Sequence, residues 1–224
     1  ATVNTQNAGK ISYDVISIDT GACVESSALS NSGAPLLPIR PLEQFAIGWK
    51  TIEAALIASG AARLAVIGGG AAGIELALAV DYALRQNLPA EQVTVALVSS
   101  GSLLGGHAPG VVKRVEKLLK SRNITVHSGR ASGHAEGLIA AGDVSSRIDF
   151  PHAKSGVYAV RAGPVLTINL HNAVNGQAPA PYQPQKRSLY LLATGPQEAI
   201  LSWGSLAAAG GWAWRLKDWI DRRF

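Results

Sequence analysis

Gly68, Gly70 and Gly73 follow directly on the apolar run Leu64-Ala65-Val66-Ile67, and Gly73-Ile74-Glu75 opens a long helical pattern. This is Gly-x-Gly-x-x-Gly placed between a strand and a helix, the context a dinucleotide-binding turn requires. Gly68 lets the chain reverse tightly, Gly70 lets backbone approach a pyrophosphate, and Gly73 lets the helix pack closely on the strand. Across Gly68, Gly69, Gly70, Ala71, Ala72 and Gly73 the free N–H groups of the helix start would face the phosphates, where the helix dipole favours negative charge. A plain strand-to-helix turn is the competing reading, and the flanking strand and helix weigh against it.

The elements that must position this turn form a β-α-β-α-β series. Residues 63–67 read as a strand, 71–86 as a helix and 93–98 as a second apolar strand. Val111, Val115, Leu118 and Leu119 stripe a second helix, and 124–127 read as a third strand. Short, uniformly apolar strands alternating with helices predict a parallel sheet covered on both faces. Right-handed crossovers then put the glycine turn at the carboxyl ends of the strands, where ligands bind. At the end of the second strand, where a carboxylate would grip a ribose 2′-hydroxyl, stand Ser99, Ser100 and Gly101. No arginine is there to hold a 2′-phosphate either, and the reading leans to NADH over NADPH.

Upstream, residues 13–19 alternate apolar and polar side chains and end at the turn Thr20-Gly21, which predicts a strand. Residues 23–41, rich in Ser, Gly and Pro, read as a surface connection, and Pro41 suits the first position of a helix. Phe45, Trp49, Ile52 and Leu56 recur at helical spacing until Gly60. Downstream, residues 138–143 read as a short strand ending at Gly142-Asp143, and 155–165 start a helix running to about Val174. Asp143 could take hydroxyl hydrogen bonds from a ribityl chain, while helix-start N–H groups could hold a flavin's pyrimidine edge. A turn or N-cap aspartate is the alternative. Pro179, Pro181 and Pro184 predict an extended segment ordered by docking. Residues 188–192 and 199–202, around Thr194-Gly195-Pro196, read as a hairpin. Trp212, Leu216, Trp219 and Ile220 are read as one face of a terminal helix, suited to a membrane interface, a dimer seam or the chain's own core.

With 224 residues, 47% hydrophobic and 16% charged, the chain can bury a sizeable core and is globular in composition. No run is long and apolar enough to predict a spanning helix, and residues 1–9 carry no signal-peptide core. Residues 1–110 hold five basic and eight acidic groups, and residues 111–224 hold fifteen and seven. The basic half suits phosphates or an anionic membrane surface, or is simply a solvated face. Cys23, the single cysteine, fits a reducing compartment and rules out a dithiol within these residues. The five histidines show no metal spacing, no nucleic-acid motif accompanies the basic residues, and neither a metal nor a nucleic-acid partner is assigned.

Together these motifs resemble the FAD/NAD(P)-dependent pyridine nucleotide-disulfide oxidoreductases. Thr20-Gly21 is similar to that family's first Thr-Gly turn, residues 68–75 to its NAD turn, and Gly142-Asp143 to its second flavin motif. Residues 152–164 and 214–224 resemble, more narrowly, type II NADH dehydrogenases and the NADH-dehydrogenase-like domain fused to some selenide, water dikinases. The resemblance implies an α/β chain of two doubly wound, Rossmann-like domains: a discontinuous, truncated FAD domain (1–48 and 138–185), an incomplete NAD(P) domain (60–137), and a hairpin with an amphipathic helix (186–224). It implies FAD and NAD(P)H as cofactors and cofactor contacts from Thr20, Gly21, Gly68–Gly73, Ser99, Gly142, Asp143, Gly156, Val157 and Tyr158. Glu75 is then an orienting carboxylate near the nicotinamide, or else a helix-surface acid. Lys154 and the amides of residues 156–158 would stabilise charge near the reduced flavin's N1. The implied activity is hydride transfer from NAD(P)H to flavin and onward to a quinone-like, non-thiol acceptor, in the cytoplasm or at the inner face of the membrane.

Two departures stand beside the likeness. Nothing before Tyr13 resembles the family's first glycine turn, and between Thr125 and Gly142 the remaining strands of an NAD domain have no room. With the absence of methionine, this predicts a longer natural protein, an expectation that an intact mass of 23.2 kDa would reject. A non-catalytic or regulatory flavoprotein-like module, associated with selenophosphate synthesis, is the second hypothesis, and an NAD(P)-binding interaction protein the third.

Overall fold

The computed structural model describes residues 2–5, 7, 9–12, 35–129, 138–140, 156–178, 180, 181, 183, 185 and 187–223. In chain order the elements are β1 (Thr2–Thr5), β2 (Gly9–Ser12), β3 (Leu36–Pro38), α1 (Leu42–Ser59), β4 (Ala62–Ile67), α2 (Ala71–Arg85), β5 (Val93–Ser99), α3 (Pro109–Ser121), β6 (Thr125–Ser128), β7 (Leu138–Ala140), α4 (Gly156–Val174), β8 (Leu189–Gly195), β9 (Glu198–Trp203), β10 (Leu206–Gly210) and α5 (Gly211–Asp221). The strand expected at 13–19, with Thr20, Gly21, Gly142, Asp143 and Lys154, lies outside the described residues. The chain divides into two compact units, residues 1–21 with 145–186 and residues 22–144 with 187–224.

The larger unit is built on a parallel sheet of order β3-β7-β4-β5-β6. Val66 and Leu97, on the central strands β4 and β5, are completely buried with Ile74, Leu84, Val111, Val115 and Leu119 from the crossover helices. Each such side chain contributes roughly 1.5–3 kcal/mol by leaving water. Burial alternates along β4 and β5, so one face is sealed and the other half covered, unlike the uniform burial expected from their apolar sequences. The sheet also reaches beyond residues 60–137. Leu138–Ala140 runs in parallel register with Ala65, Val66 and Ile67, and Leu36–Pro38 pairs on its far side. Two segments expected in a flavin domain thus complete the sheet that carries the glycine turn.

Progress β4-α2-β5-α3-β6 runs one way from β4, while β7 and β3 lie the other way. The order therefore reverses at β4, and the crevice at the carboxyl ends of β4 and β7 is the topological switch point where open α/β sheets bind ligands. Helix α1 packs Phe45, Trp49, Ile52 and Leu56 on this core. Its first helical residue is Leu42; Pro41 is the N-cap in extended conformation, because ψ at 145° is not helical. Gly60, at φ 76°, ends the helix in the left-handed conformation that glycine adopts without strain.

Beyond the sheet, β8, β9 and β10 form a three-stranded antiparallel layer instead of the expected hairpin. Leu206-Ala207-Ala208-Ala209-Gly210 has little intrinsic strand preference, and pairing with β9 makes it a strand. In α5 the fully buried residue is Ala213, with Leu216 and Ile220 half-buried, whereas Trp212 and Trp219 are exposed. The packed side thus keeps Leu216 and Ile220 of the stripe, adds Ala213 and leaves the two tryptophans out.

The smaller unit contains the β1–β2 hairpin, with Thr5 Oγ1 donating to the Gly9 carbonyl at 3.1 Å. In its helix α4, Asn169 takes the Ala180 N–H at 2.6 Å and donates to the Ala180 carbonyl at 3.0 Å. These two bonds dock the proline-containing segment on α4, which is how an extended chain without its own ladder keeps its backbone groups satisfied.

Candidate dinucleotide-binding site

The three glycines of the turn differ in what holds them to glycine. Gly68 holds φ 131°, a left-handed region closed to most side chains, while its N–H donates to the Val98 carbonyl of β5 at 2.8 Å. A Cβ on Gly73 would overlap the Gly68 carbonyl oxygen and stand 2.8 Å from its carbon, so α2 can approach the turn this closely only with glycine there. A Cβ on Gly70 would meet nothing within 4 Å. That open space lies at the N-cap of α2, with φ −80° and ψ −179°, a backbone any residue can adopt. Glycine at 70 is thus required neither by the backbone nor by its neighbours, and the side it leaves bare is the side on which a ligand would come up to the main chain.

The first backbone bond into α2 is Ile74 N–H to the Gly70 carbonyl, 3.1 Å. Among the described residues the N–H groups of Ala71, Ala72 and Gly73 have no backbone acceptor, and no side chain caps the helix. With no acidic residue in the first turn, three unpaired donors and the positive end of the helix dipole are left for an anion. A diphosphate has the oxygens to accept them.

Ser99, at the end of β5, is buried, and its hydroxyl donates to the Gly101 carbonyl at 2.8 Å. It also stands where a Gly69 Cβ would go, so the residue between the first two motif glycines is itself held to glycine by contact. Ser99 therefore shapes the turn through Gly69. From the following loop, Leu104 N–H donates to the Gly69 carbonyl at 2.8 Å, and Leu103 and Leu104 are buried beneath it.

Glu75, one turn into α2, reaches sideways to the antiparallel sheet. Its Oε1 accepts the N–H of Ala193 at 2.7 Å, on the edge strand β8 where the register shifts between Ala193 and Gly195. Burial pushes its carboxyl above the usual carboxylate range, while the Ala193 bond and Lys217 act the other way and Asp221 adds to the rise. Glu75 thus fastens α2 to β8 within reach of α5.

A second fastening uses His107, which carries no motif. Its Nδ1 hydrogen-bonds with Ser202 Oγ at 3.3 Å and its ring lies 4.5 Å from that of Tyr190, tilted by 52°. Burial lowers the imidazole below its ordinary range. Asp81, on α2, is completely buried between Arg85 (2.7 Å) and Arg122 (3.7 Å) and ties the far end of α2 to the end of α3.

The structure brings together Gly68, Gly69, Gly70, Ala71, Ala72, Gly73 and Ser99. Gly156, Val157 and Tyr158 form the start of α4 in the other unit, while Thr20, Gly21, Gly142, Asp143 and Lys154 fall outside the described residues. On α5, Trp212 and Trp219 face outward with Arg215, Arg222 and Arg223, the last 5.2 Å over the Trp219 ring. No helix among the described residues is long and apolar enough to cross a membrane, and no described group of His, Cys, Asp and Glu could hold a metal ion.

A parallel sheet bearing this turn at its switch point, joined by an antiparallel sheet, defines a mixed α/β fold. That fold is similar to the crystal structure of sulfide:quinone oxidoreductase from the hyperthermophilic bacterium Aquifex aeolicus, with a TM-score of 0.74 over 100% of this chain and 71% of that chain. Sequence identity is 18%, so the likeness is one of fold. No family model and no curated protein matches the sequence.

Proposed function

We propose that this chain is part of an FAD-dependent NAD(P)H oxidoreductase that holds the diphosphate of a nicotinamide dinucleotide on residues 68–73 and passes electrons to a quinone-like acceptor. The carrying observation is the open space over Gly70 beside the unpaired N–H groups of Ala71, Ala72 and Gly73. The likeness of fold to a sulfide:quinone oxidoreductase supports the flavin and quinone parts of the reading. Within these 224 residues the single cysteine, Cys23, leaves no dithiol, so these residues supply no dithiol relay of their own.

In this reading Ala71, Ala72 and Gly73 bind the phosphates, and the buried Ser99 keeps the turn in shape. Glu75 holds α2 against β8, so that the nicotinamide end of the dinucleotide meets a fixed wall. Bound FAD would supply the two-electron acceptor chemistry that amino-acid side chains lack. Its expected contacts, Thr20, Gly21, Gly142, Asp143, Lys154 and the amides of 156–158, remain part of the proposal.

The test is an absorbance spectrum of the chain reconstituted with FAD, taken before and after anaerobic NADH. Retained flavin bands that bleach on addition are the expected result. A chain that binds NADH but keeps no flavin would support instead a regulatory, dinucleotide-binding module. Failure to bind NADH at all would overturn both.

A further inference from the structure

The loop from β5 to α3, residues 100–108, is held at both ends of its course. Near its middle, Leu103 and Leu104 enter the core, and Leu104 N–H bonds the Gly69 carbonyl of the glycine turn. Leu104 does so at φ 50°, a left-handed conformation that costs a residue with a Cβ about 1–2 kcal/mol. Such a conformation persists only where its surroundings over-determine it. Gly106, at φ 88°, then turns the chain so that His107 N–H closes onto the Leu104 carbonyl at 2.9 Å. The His107 side chain completes the hold. Tyr190 and Ser202 are directly opposed partners on β8 and β9, and the imidazole covers both, bonding the hydroxyl of one and packing on the ring of the other. Ser202 is only 2% exposed, so its hydroxyl needs a partner in the protein and His107 supplies one.

We propose that His107 is a positioning residue for dinucleotide binding: by clasping the Tyr190–Ser202 pair it holds Leu104 in its left-handed conformation and so fixes Gly69 and the backbone that meets the diphosphate. This rests on the reading of residues 68–73 as a dinucleotide site. Among the described residues the groups facing the imidazole are the Ser202 hydroxyl from β9, the Tyr190 phenol ring from β8 and the backbone of its own loop. The clasp thus favours the neutral ring. It weakens as pH falls from the ordinary imidazole range through the lowered value, and affinity falls with it.

The experiment measures the NADH dissociation constant at neutral pH and at about pH 5.5 for the wild-type chain and for His107→Ala, His107→Asn and His107→Phe. Losing the bond and the ring contact in His107→Ala is expected to raise it about tenfold at neutral pH. His107→Asn keeps a group that can bond Ser202 and should recover part of that loss. The wild-type constant should rise more steeply on acidification than that of His107→Phe, which cannot be protonated at this position and keeps only the pH dependence of other groups such as Glu75. Wild-type affinity in His107→Ala, or one pH dependence shared by all four proteins, would overturn the proposal. Amide exchange at Leu104, measured without nucleotide, separates the two readings. It should accelerate about tenfold in His107→Ala, and unchanged protection refutes the clasp whether or not NADH binds. A wild-type chain that binds no NADH, yet loses Leu104 protection in His107→Ala, sinks the dinucleotide reading and keeps the clasp.

Discussion

Replacing Gly70 and Gly73 one at a time by alanine separates ligand binding from folding, because the same added methyl meets empty space at one position and backbone at the other. At Gly70 nothing lies within 4 Å of the new Cβ, and φ −80° with ψ −179° is open to alanine. Alanine is a poorer N-cap than glycine by about 0.5–1 kcal/mol, while its stiffer unfolded chain returns about 0.4–1 kcal/mol. The two nearly cancel, so the melting temperature should stay within about 3 °C of wild type. The methyl does, however, occupy the approach to the donors at 71–73. Losing one hydrogen bond to a charged oxygen costs about 1.5–3 kcal/mol, which is roughly a tenfold to hundredfold rise in the dissociation constant for NADH. At Gly73 the Cβ overlaps the Gly68 carbonyl oxygen, and a backbone atom cannot swing aside as a side chain can. Moving the helix costs about 1–3 kcal/mol, or a fall of about 3–10 °C. Thermal melts by circular dichroism and NADH titrations by fluorescence read both quantities. Gly70→Ala binding NADH as tightly as wild type would show that no diphosphate lies over that glycine. Gly73→Ala melting with wild type would show that α2 does not close on the turn.

Glu75 gives a pH-dependent test. Its carboxyl is raised in the folded chain, so its contribution to stability is fully present below the unfolded carboxyl range and is lost as pH rises through the folded value. Glu75→Gln keeps an acceptor for Ala193 N–H without the buried charge, and should melt at or above wild type at pH 8 but lose that advantage near pH 4. Glu75→Ala, which strands the Ala193 N–H, should lose about 1–3 kcal/mol at both; melts of both variants across that range decide it. Asp81→Ala leaves Arg85 and Arg122 without their buried carboxylate. Truncating one partner of a buried pair costs about 3–5 kcal/mol, discounted here to about 2–3 kcal/mol because both arginines reach solvent. The melt should drop by several degrees with the NADH constant unchanged, and a weakened constant would mean that the far end of α2 also shapes the turn.

What the sequence made legible follows from what is local. Gly68, Gly70 and Gly73 act within six residues of one another, and the strand before them and helix after them are continuous with them in the chain, so spacing and periodicity were enough to place all three. The Phe45, Trp49, Ile52 and Leu56 stripe was legible for the same reason: 3.6-residue repetition reports a packed face whatever it packs on. In α5 the same repetition left open what the face packs on. Trp212 and Trp219 repeat at helical spacing with Leu216, yet the buried residue is Ala213. Periodicity reports size and polarity, and a small residue against a sheet can lie deeper than a tryptophan beside it. Strand β10 escaped because alanines and glycine give no strand signal without the partner that supplies their hydrogen bonds.

The contacts that turn a glycine motif into a shaped site are of the other kind. Glu75 meets Ala193 across 118 positions, and His107 meets Ser202 across 95. The acceptor for Glu75 is a backbone N–H, available because β8 is an edge strand with a register shift, and no residue type announces that. His107 stands in a glycine-rich loop with no second histidine or carboxylate at any telling interval, so its role exists only once β8 and β9 are brought beneath it. The antiparallel sheet is therefore more than a covering layer. It holds α2 at Glu75 and the neighbouring loop at His107, on the two sides of the turn that the proposed reading makes the diphosphate site. A turn held on both sides loses less conformational freedom when an anion docks, so more of the interaction appears as affinity. The residues that tune binding here are thus expected to lie in the last forty positions of the chain as much as in the motif itself.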